Sequence, residues 1–435
     1  MAWISAALIV LAALIALPSA VLFIQCLAAC LPTPKPKPIE LGRPRIGVLV
    51  PAHDEEAVIR STLESIVSQL AKGDRLLVIA DNCTDSTAGI AADCGVEVIE
   101  RSDALRRGKG YALQSGLDRF ADDRPEVVVV IDADCQLMPA CLEALARQVA
   151  ATSRPAQACY LMTPPPVPRA VDVISSLAIL VKNRVRPRGM SKMALPCLIT
   201  GSGSAFPWQA LQLRSFSGGN IVEDMQFAVD LALAGFAPRY CDEAIVLAGL
   251  PDRHSAFLSQ RRRWEHGHLQ TLFSQAPRLL AGFLRSGRID LVAMAADLSV
   301  PPLSLLAAIN VFSLAATLAW AFCHASVWPL GIAACGAFLL SGSAGAAWWG
   351  FARDRVPFRT LLTIPRYVFA KLPLYMTFLY RRERAWVRTT RTTSVNCSAN
   401  AVMGHVASGS LGPEAMHRPP THVGADDEAM LADGR

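Results

Sequence analysis

Charge is scarce in this 435-residue sequence. Asp, Glu, Lys and Arg make up 18% of it, against roughly a quarter in soluble domains. Apolar runs take up the difference at the N-terminus and between Leu291 and Phe351, so a membrane protein with a soluble middle is expected. The 12 cysteines include no C-x-x-C pair. That disfavours a zinc site or a disulfide framework and fits reduced thiols in a cytosolic compartment. No G-x-G-x-x-G follows the first strand; Pro51-Ala-His-Asp-Glu-Glu56 stands there instead, which argues against a nicotinamide or flavin enzyme. Internal repeats are absent. The net charge of +6 is modest, and its clusters flank the apolar segments. This points to a membrane surface and phosphates as partners, and to no nucleic acid.

What is present begins with an apolar run from Trp3 to Leu31, long enough to cross a bilayer, which takes about 20 residues. No lysine or arginine precedes it, and it exceeds a usual signal-peptide core, so a retained span is favoured over a cleaved leader. A stiff basic linker, Pro32-Thr-Pro-Lys-Pro-Lys-Pro38, follows with Arg43 and Arg45, and the positive-inside rule places the next domain in the cytosol. From Arg45 strands and helices alternate. Ile46–Val50, Arg75–Ala80, Val96–Ile99 and Val127–Ile131 read as strands; Glu55–Leu70, a stretch through Ala92, and Lys109–Phe120 read as helices. That order predicts an α/β, doubly wound, mostly parallel sheet. Val171–Val181 with Lys182–Arg188 reads as an interfacial helix with a basic end. Helix Phe227–Ala234 stops at Gly235, and a strand follows around Ala244–Leu247. Pro301–Cys323 and Val327–Trp349 read as two more spans, Leu361–Tyr380 as a segment in the interface, and the sequence after Arg391 as disordered. The expected organisation is a span over 1–31, a linker over 32–44, a catalytic domain over 45–285, two spans within 286–352, an interfacial segment over 353–390 and a tail over 391–435. A bacterial cytoplasmic membrane is the expected setting.

The chemistry centres on Val127–Ile131, five β-branched residues followed by Asp132-Ala-Asp134. Residues two apart on an extended chain point the same way, so both carboxylates can converge at the strand's carboxyl end, where open α/β sheets bind ligands. Paired carboxylates suit a hard cation, Mg2+ or Mn2+, and with it a phosphate. The competing view is an acidic turn in solvent. Arg106-Arg-Gly-Lys-Gly110 opens a helix, so Lys109 and free backbone N–H groups can meet phosphate oxygens; an exposed basic turn is the alternative. His254, His266 and His268 form no metal-like arrangement and are read as surface or acceptor-side residues.

Taken in order, Pro51-Ala-His-Asp-Glu-Glu56, Asp81, Asp132-Ala-Asp134, Glu223-Asp224 and Gln260-Arg-Arg-Arg-Trp264 resemble the family 2 glycosyltransferases. The likeness is to the membrane-embedded polysaccharide synthases, with their D, D-x-D, E-D and Q-x-x-R-W motifs, and it covers roughly Arg45 to Gln270. It implies a GT-A catalytic domain flanked by transmembrane helices. It also implies inverting transfer from a nucleotide-sugar donor to a lipid-linked or polysaccharide acceptor, alongside other polysaccharide-assembly proteins. Pro51, Ala52, His53, Glu55, Asp81, Lys109 and Asp132 would bind the nucleotide sugar, with Asp81 at a nucleobase that is typically uracil. Asp134, with Asp132, would hold the metal. Asp224 would be the general base and Glu223 its support, while Gln260, Arg263 and Trp264 would close over the diphosphate and hold the acceptor end. His53-Asp54 departs from the family's usual pairing. The three arginines 261–263 blur which one faces the diphosphate, and motif spacing selects Arg263. A nucleotidyltransferase would share the sheet and acidic pair but not explain Gln260–Trp264. A non-catalytic nucleotide sensor would have no need of Asp134 and Asp224 together.

The charge distribution yields a topological prediction. Gly42 and Ser408 are expected on the cytosolic side and the loop near Ala325 outside, to be checked by labelling single cysteines placed at each position. External labelling near Gly42 would overturn it.

Overall fold

The protein was analysed as a computed structural model that describes residues 2–32, 42–165, 167–213, 216, 223–250, 254–324 and 326–380. Helix α1 (Ala2–Ala29) is apolar around its whole circumference and keeps Pro18 within it. After the linker come β1 (Ile46–Ala52), α2 (Ile59–Val67), β2 (Arg75–Asp81), α3 (Thr87–Asp93), β3 (Glu97–Arg101), α4 (Lys109–Phe120) and β4 (Val127–Val130). Then follow β5 (Cys135–Leu137), α5 (Cys141–Thr152), β6 (Ala156–Thr163), α6 (Ala170–Leu180), a π-turn (Val181–Val185) and α7 (Arg186–Lys192). Strand β7 (Ser204–Pro207), α8 (Trp208–Gln212), α9 (Glu223–Leu233) and β8 (Arg239–Gly249) complete the sheet region. The expected helix over Glu55–Leu70 is shorter in the structure, because Asp54–Glu56 are engaged by the loop after β2.

The strands form one sheet in the order β3-β2-β1-β4-β7-β6-β8-β5. Strands β1 to β4 are parallel, as is the β6–β8 pair, but β7 runs antiparallel between β4 and β6, and β5 antiparallel against β8. The sheet is thus mostly parallel yet mixed. Side-chain alternation along the strands divides the core. Ile46, Val48, Val50, Val127 and Val129 join the α2 and α5 layer; Leu49, Val128 and Val130 join the α4, α8 and α9 layer. Burial on both faces is worth about 1.5–3 kcal/mol per large aliphatic side chain, which fixes β4 at the centre.

Helix α10 (His254–Ser286) leads through α11 (Ile289–Ser299) to α12 (Leu303–His324) and α13 (Trp328–Phe351). With α1, these last two make three helices, among the described residues, that are long and apolar enough to cross a membrane. Short α14 (Phe358–Leu361) and α15 (Ile364–Tyr380) follow. Leu22, Cys26 and Ala29 of α1, Leu306 of α12 and Ala347 of α13 share one core with Val181 and Val185 of the π-turn.

Two readings of the sequence need correction. The stretch Lys182–Arg188, read as the basic end of an interfacial helix, is instead drawn into the fold: Arg184, Arg186 and Arg188 are buried. Arg186 donates to Asp297 at 2.8 Å and to Gln25 at 3.2 Å, and Gln25 donates to Asp297 at 2.8 Å; Arg188 donates to the Ala29 carbonyl and pairs with Asp242. An unpaired buried charge costs several kcal/mol, and these partners offset that cost. His266 and His268 are also buried rather than superficial. Their Nε2 atoms are bonded to the carbonyls of Leu374 and Leu298.

Gly189 lies where α7 crosses α1, and a Cβ there would overlap the Gln25 carbonyl and Cα. Gly189→Ala should therefore cost about 1–3 kcal/mol by overpacking, read as a lower melting temperature of the detergent-solubilised protein. An unchanged melting curve would show that the α1–α7 contact yields easily.

Candidate functional site

The carboxyl ends of β1, β2 and β4 are adjacent, and the loops leaving them are tied together. Beyond Pro51 and Ala52, the His53 Nδ1 is bonded to the Asp81 carbonyl at 2.7 Å. Asp54, at φ +53°, accepts the Thr84 amide at 2.6 Å, and the Glu55 amide donates to Thr87 Oγ1 at 2.8 Å. These bonds fix the first motif against the loop that follows Asp81. Asp81 is buried, and its Oδ1 accepts from Arg101 at 2.5 Å and from Asn82 at 2.9 Å. Sequence reasoning missed Arg101. Only the parallel register, which sets the last residue of β3 opposite Asp81, brings it there.

Strand β4 ends at Val130, so Asp132 and Asp134 leave it through a turn rather than along an extended strand. The Cys135 amide closes that turn on the Asp132 carbonyl at 3.1 Å. One ligand atom each of Asp132, Asp134 and Cys135 lies within 4.8 Å of the others, so the carboxylates do converge. Burial pushes the Cys135 thiol well up, so it stays protonated and turns toward Asp134 Oδ1 at 3.5 Å. The donors suited to a hard cation are the two carboxylates of Asp132 and Asp134, a set that matches Mg2+ or Mn2+. Lys109, the first residue of α4, pairs with Asp132 Oδ1 at 2.5 Å. Asp54, Cys83 and Asp85 also cluster, but both carboxylates there accept backbone amides, Asp54 from Thr84 and Asp85 from Glu56 and Thr87.

The loop Thr200–Gly203 joins this end of the site to Asp224. Ser202 Oγ accepts the Asp132 amide at 2.9 Å, and the Gly201 amide donates to Asp224 Oδ2 at 2.6 Å. Asp224 Oδ1 accepts the Met225 amide at 2.8 Å. Gln157 on β6 braces the loop through Thr200, Ser202 and Ser204. Tyr160, also on β6, lies under Gly201, where a Cβ would come within 3.2 Å of its ring. No motif marked Gln157 or Tyr160. Glu223 opens α9, but its side chain and residues 217–222 lie outside the described part of the structure.

The Gln260–Trp264 motif sits on α10. Gln260 is buried, and Trp264 packs on the layer that contains Ile131, Ala133 and Cys135. Arg261 turns the other way, donating to Ser175 Oγ and Glu265 and lying 5.0 Å over the Tyr367 ring. The spacing argument for Arg263 thus gains a reason to set Arg261 aside. Lys371 of α15 pairs with Glu265 and donates to Ser304 at 3.3 Å.

Residues 44–267 match the family model described as glycosyltransferase-like family 2, just over half of the chain. An N-acetylglucosaminyltransferase of Rhizobium leguminosarum bv. viciae is 23% identical over 293 residues, 64% of this chain and 68% of that one. The probable glycosyltransferase YdaM of Bacillus subtilis (strain 168) is 38% identical over 99 residues, 21% of this chain; the match spans only 23% of YdaM's length. In fold the chain is similar to a mannosyltransferase from Pyrobaculum calidifontis in complex with GDP-Man and Mn2+. The TM-score is 0.52 and the identity 22%, over 86% of this chain and 100% of that one.

Burial, opposed by Glu265, pushes Lys371 down to about 8. The folded state then binds fewer protons than the unfolded chain between that value and the ordinary 10.5, so this group's contribution to stability rises with pH across that window. Melting temperatures of detergent-solubilised wild type should gain on those of Lys371→Met between about pH 8 and 10. Parallel curves would place the amine in solvent.

Proposed function

This chain belongs to the glycosyltransferase-like family 2, and on that premise we propose that it moves a sugar with inversion from a UDP-linked donor to a lipid-linked or growing polysaccharide acceptor. The work is assigned to the cytosolic side of a membrane crossed by α1, α12 and α13. The observation that carries the proposal is the loop Thr200–Gly203, which holds the Asp132 amide through Ser202 and the Asp224 carboxylate through Gly201. Donor phosphate and acceptor hydroxyl would therefore be registered against one piece of backbone.

In this reading Pro51, Ala52, His53 and Glu55 form the wall of the nucleotide site, with Asp81 at the base. Asp134 and Asp132 hold Mg2+ or Mn2+, which when bound supplies positive charge beside the diphosphate. Lys109, at the start of α4 and paired with Asp132 Oδ1 at 2.5 Å, would meet the same phosphates, which a helix N-terminus favours. Asp224 accepts the proton of the acceptor hydroxyl as its oxygen forms the new bond to the sugar's anomeric carbon. The bond from that carbon to the donor phosphate breaks on the opposite face, and the nucleoside diphosphate leaves with the electron pair. The two amides on Asp224 fix its plane while each oxygen keeps a further lone pair for that proton. Glu223 supports the turn, and Gln260, Arg263 and Trp264 cover the diphosphate and the acceptor end.

The test uses membranes carrying the protein and a panel of labelled UDP- and GDP-sugars with Mg2+ or Mn2+, products being partitioned into organic solvent and sized. Asp224→Asn should lower turnover about 10²- to 10⁴-fold, the usual contribution of a general base, with donor Kd nearly unchanged. Asp134→Asn should lose cation-dependent donor binding; Asp81→Ala should weaken the nucleotide yet keep the cation requirement. Near-normal transfer by Asp224→Asn, or loss of its donor binding instead, would place the base elsewhere.

A further inference from the structure

Asp81 does not stand alone at the end of β2. The parallel register sets Arg101 opposite it, and the guanidinium donates to Asp81 Oδ1 at 2.5 Å. Asn82 donates to the same oxygen at 2.9 Å. The Asn82 amide is held in that orientation, because its Oδ1 accepts the Asp103 amide at 2.9 Å and its backbone N–H donates to the Arg101 carbonyl at 2.6 Å. Arg101 is equally fixed. Beyond Asp81 it donates to the Arg106 carbonyl at 2.6 Å and to Asp103 Oδ2 at 3.2 Å, and it lies 5.8 Å over the Tyr111 ring. Asp103 in turn accepts the Leu105 and Arg106 amides, each at 2.9 Å.

The two oxygens of Asp81 are therefore unlike. A carboxylate offers about four lone-pair sites, two on each oxygen. Both sites of Oδ1 are taken by Arg101 and Asn82. Oδ2 accepts no hydrogen bond among the described residues and is not sealed off, the side chain keeping 9% of its surface exposed. A carboxylate free at both oxygens takes two neighbouring N–H groups at once, whereas one with a saturated oxygen takes a single N–H. That difference separates the nucleobases. On its pairing edge guanine presents a ring N–H beside an amino group. Uracil presents one ring N–H between two carbonyls, and adenine and cytosine a ring nitrogen that only accepts. An amino group next to the bonded N–H would find no free lone pair on Oδ1, and a polar group buried without a partner is costly.

We propose that Arg101 is a specificity-determining residue: by saturating Asp81 Oδ1 it leaves the base site room for one N–H, and so admits a uracil-type base and refuses guanine. The inference rests on the placement of Asp81 at the nucleobase given above, and goes beyond it in naming the residue that makes the choice. Arg101 is a positioning residue that acts through Asp81. The same guanidinium holds the carbonyl of Arg106, in the loop that leads to Lys109, so the base site and the start of α4 share one anchor.

Binding of UDP, GDP and inosine diphosphate (IDP) with Mn2+ is measured by calorimetry on the detergent-solubilised full chain. IDP differs from GDP only in lacking the amino group, so base size does not enter their comparison. Wild type should bind UDP tightest and prefer IDP over GDP by about 10-fold or more, the scale of one unpaired polar group. In Arg101→Met the preference for IDP should vanish or reverse. Arg101→Lys, which returns one N–H to Oδ1, should restore it in part. A purely structural role for Arg101 would weaken all three nucleotides alike and leave the ratio unmoved, and that result overturns the proposal. Wild type that binds GDP as tightly as IDP overturns it too, and this arm needs no variant to fold. Asp81→Ala separates the inference from its premise. Unchanged UDP affinity in that variant would remove Asp81 from the base site, and this inference with it. Weakened UDP binding there, with no preference for IDP in wild type, would overturn the role of Arg101 alone.

Discussion

A side chain at Gly203 would meet Ala158 and Val246 at 2.8 Å, and its φ of +79° is one that other residues resist. The chain can pass there only as glycine. From that passage β7 runs back between β4 and β6, and the three residues before Gly203 lie across the carboxyl end of β4. Their positions decide where Asp132 and Asp224 stand relative to each other. The two acids are far apart in sequence and lie on different elements, yet each is bonded to a neighbouring residue of this short loop. Gln157, almost wholly buried, braces it from below with both ends of its amide.

The same economy of bonded polar groups governs the seam between sheet and apolar helices. Charges that composition alone would send to the surface are drawn inside because each meets an opposite charge or a helix-end carbonyl. Buried pairs of this kind contribute little net stability, since desolvation offsets attraction, but breaking one is expensive. Their effect is positional. Arg186, Gln25 and Asp297 fix α1 and α11 against α7, while Lys371, Glu265 and Arg261 fix α15 against α10. The helix that carries Gln260 and Trp264 is thereby referred to the same frame as the Gly201 loop.

Much of this was legible beforehand wherever the signal is local. Lys109–Phe120 is a helix from its first residue to its last as read, because apolar spacing and the glycine before it act over a few residues. Gly235 ends α9 with φ +101°, and three apolar runs became three long helices. Val127–Val130 is buried on both faces, as an unbroken β-branched run requires. The pairing of Arg101 with Asp81, the reversal of β7 and the burial of His266 and His268 were not legible, since each depends on a partner at least 20 residues away.

The sequence by itself therefore determined the kinds of element, their order, the apolar helices and the acidic residues that end β2 and follow β4. These follow from period, composition and turn chemistry, which are properties of neighbouring residues. Only the tertiary structure decided that the sheet is mixed, that Asp132 and Asp224 are tied to one loop, and that Arg186 and Arg188 are inside. The physical reason is that the free energy of a buried polar group is set by the group it meets, and long-range packing chooses that partner.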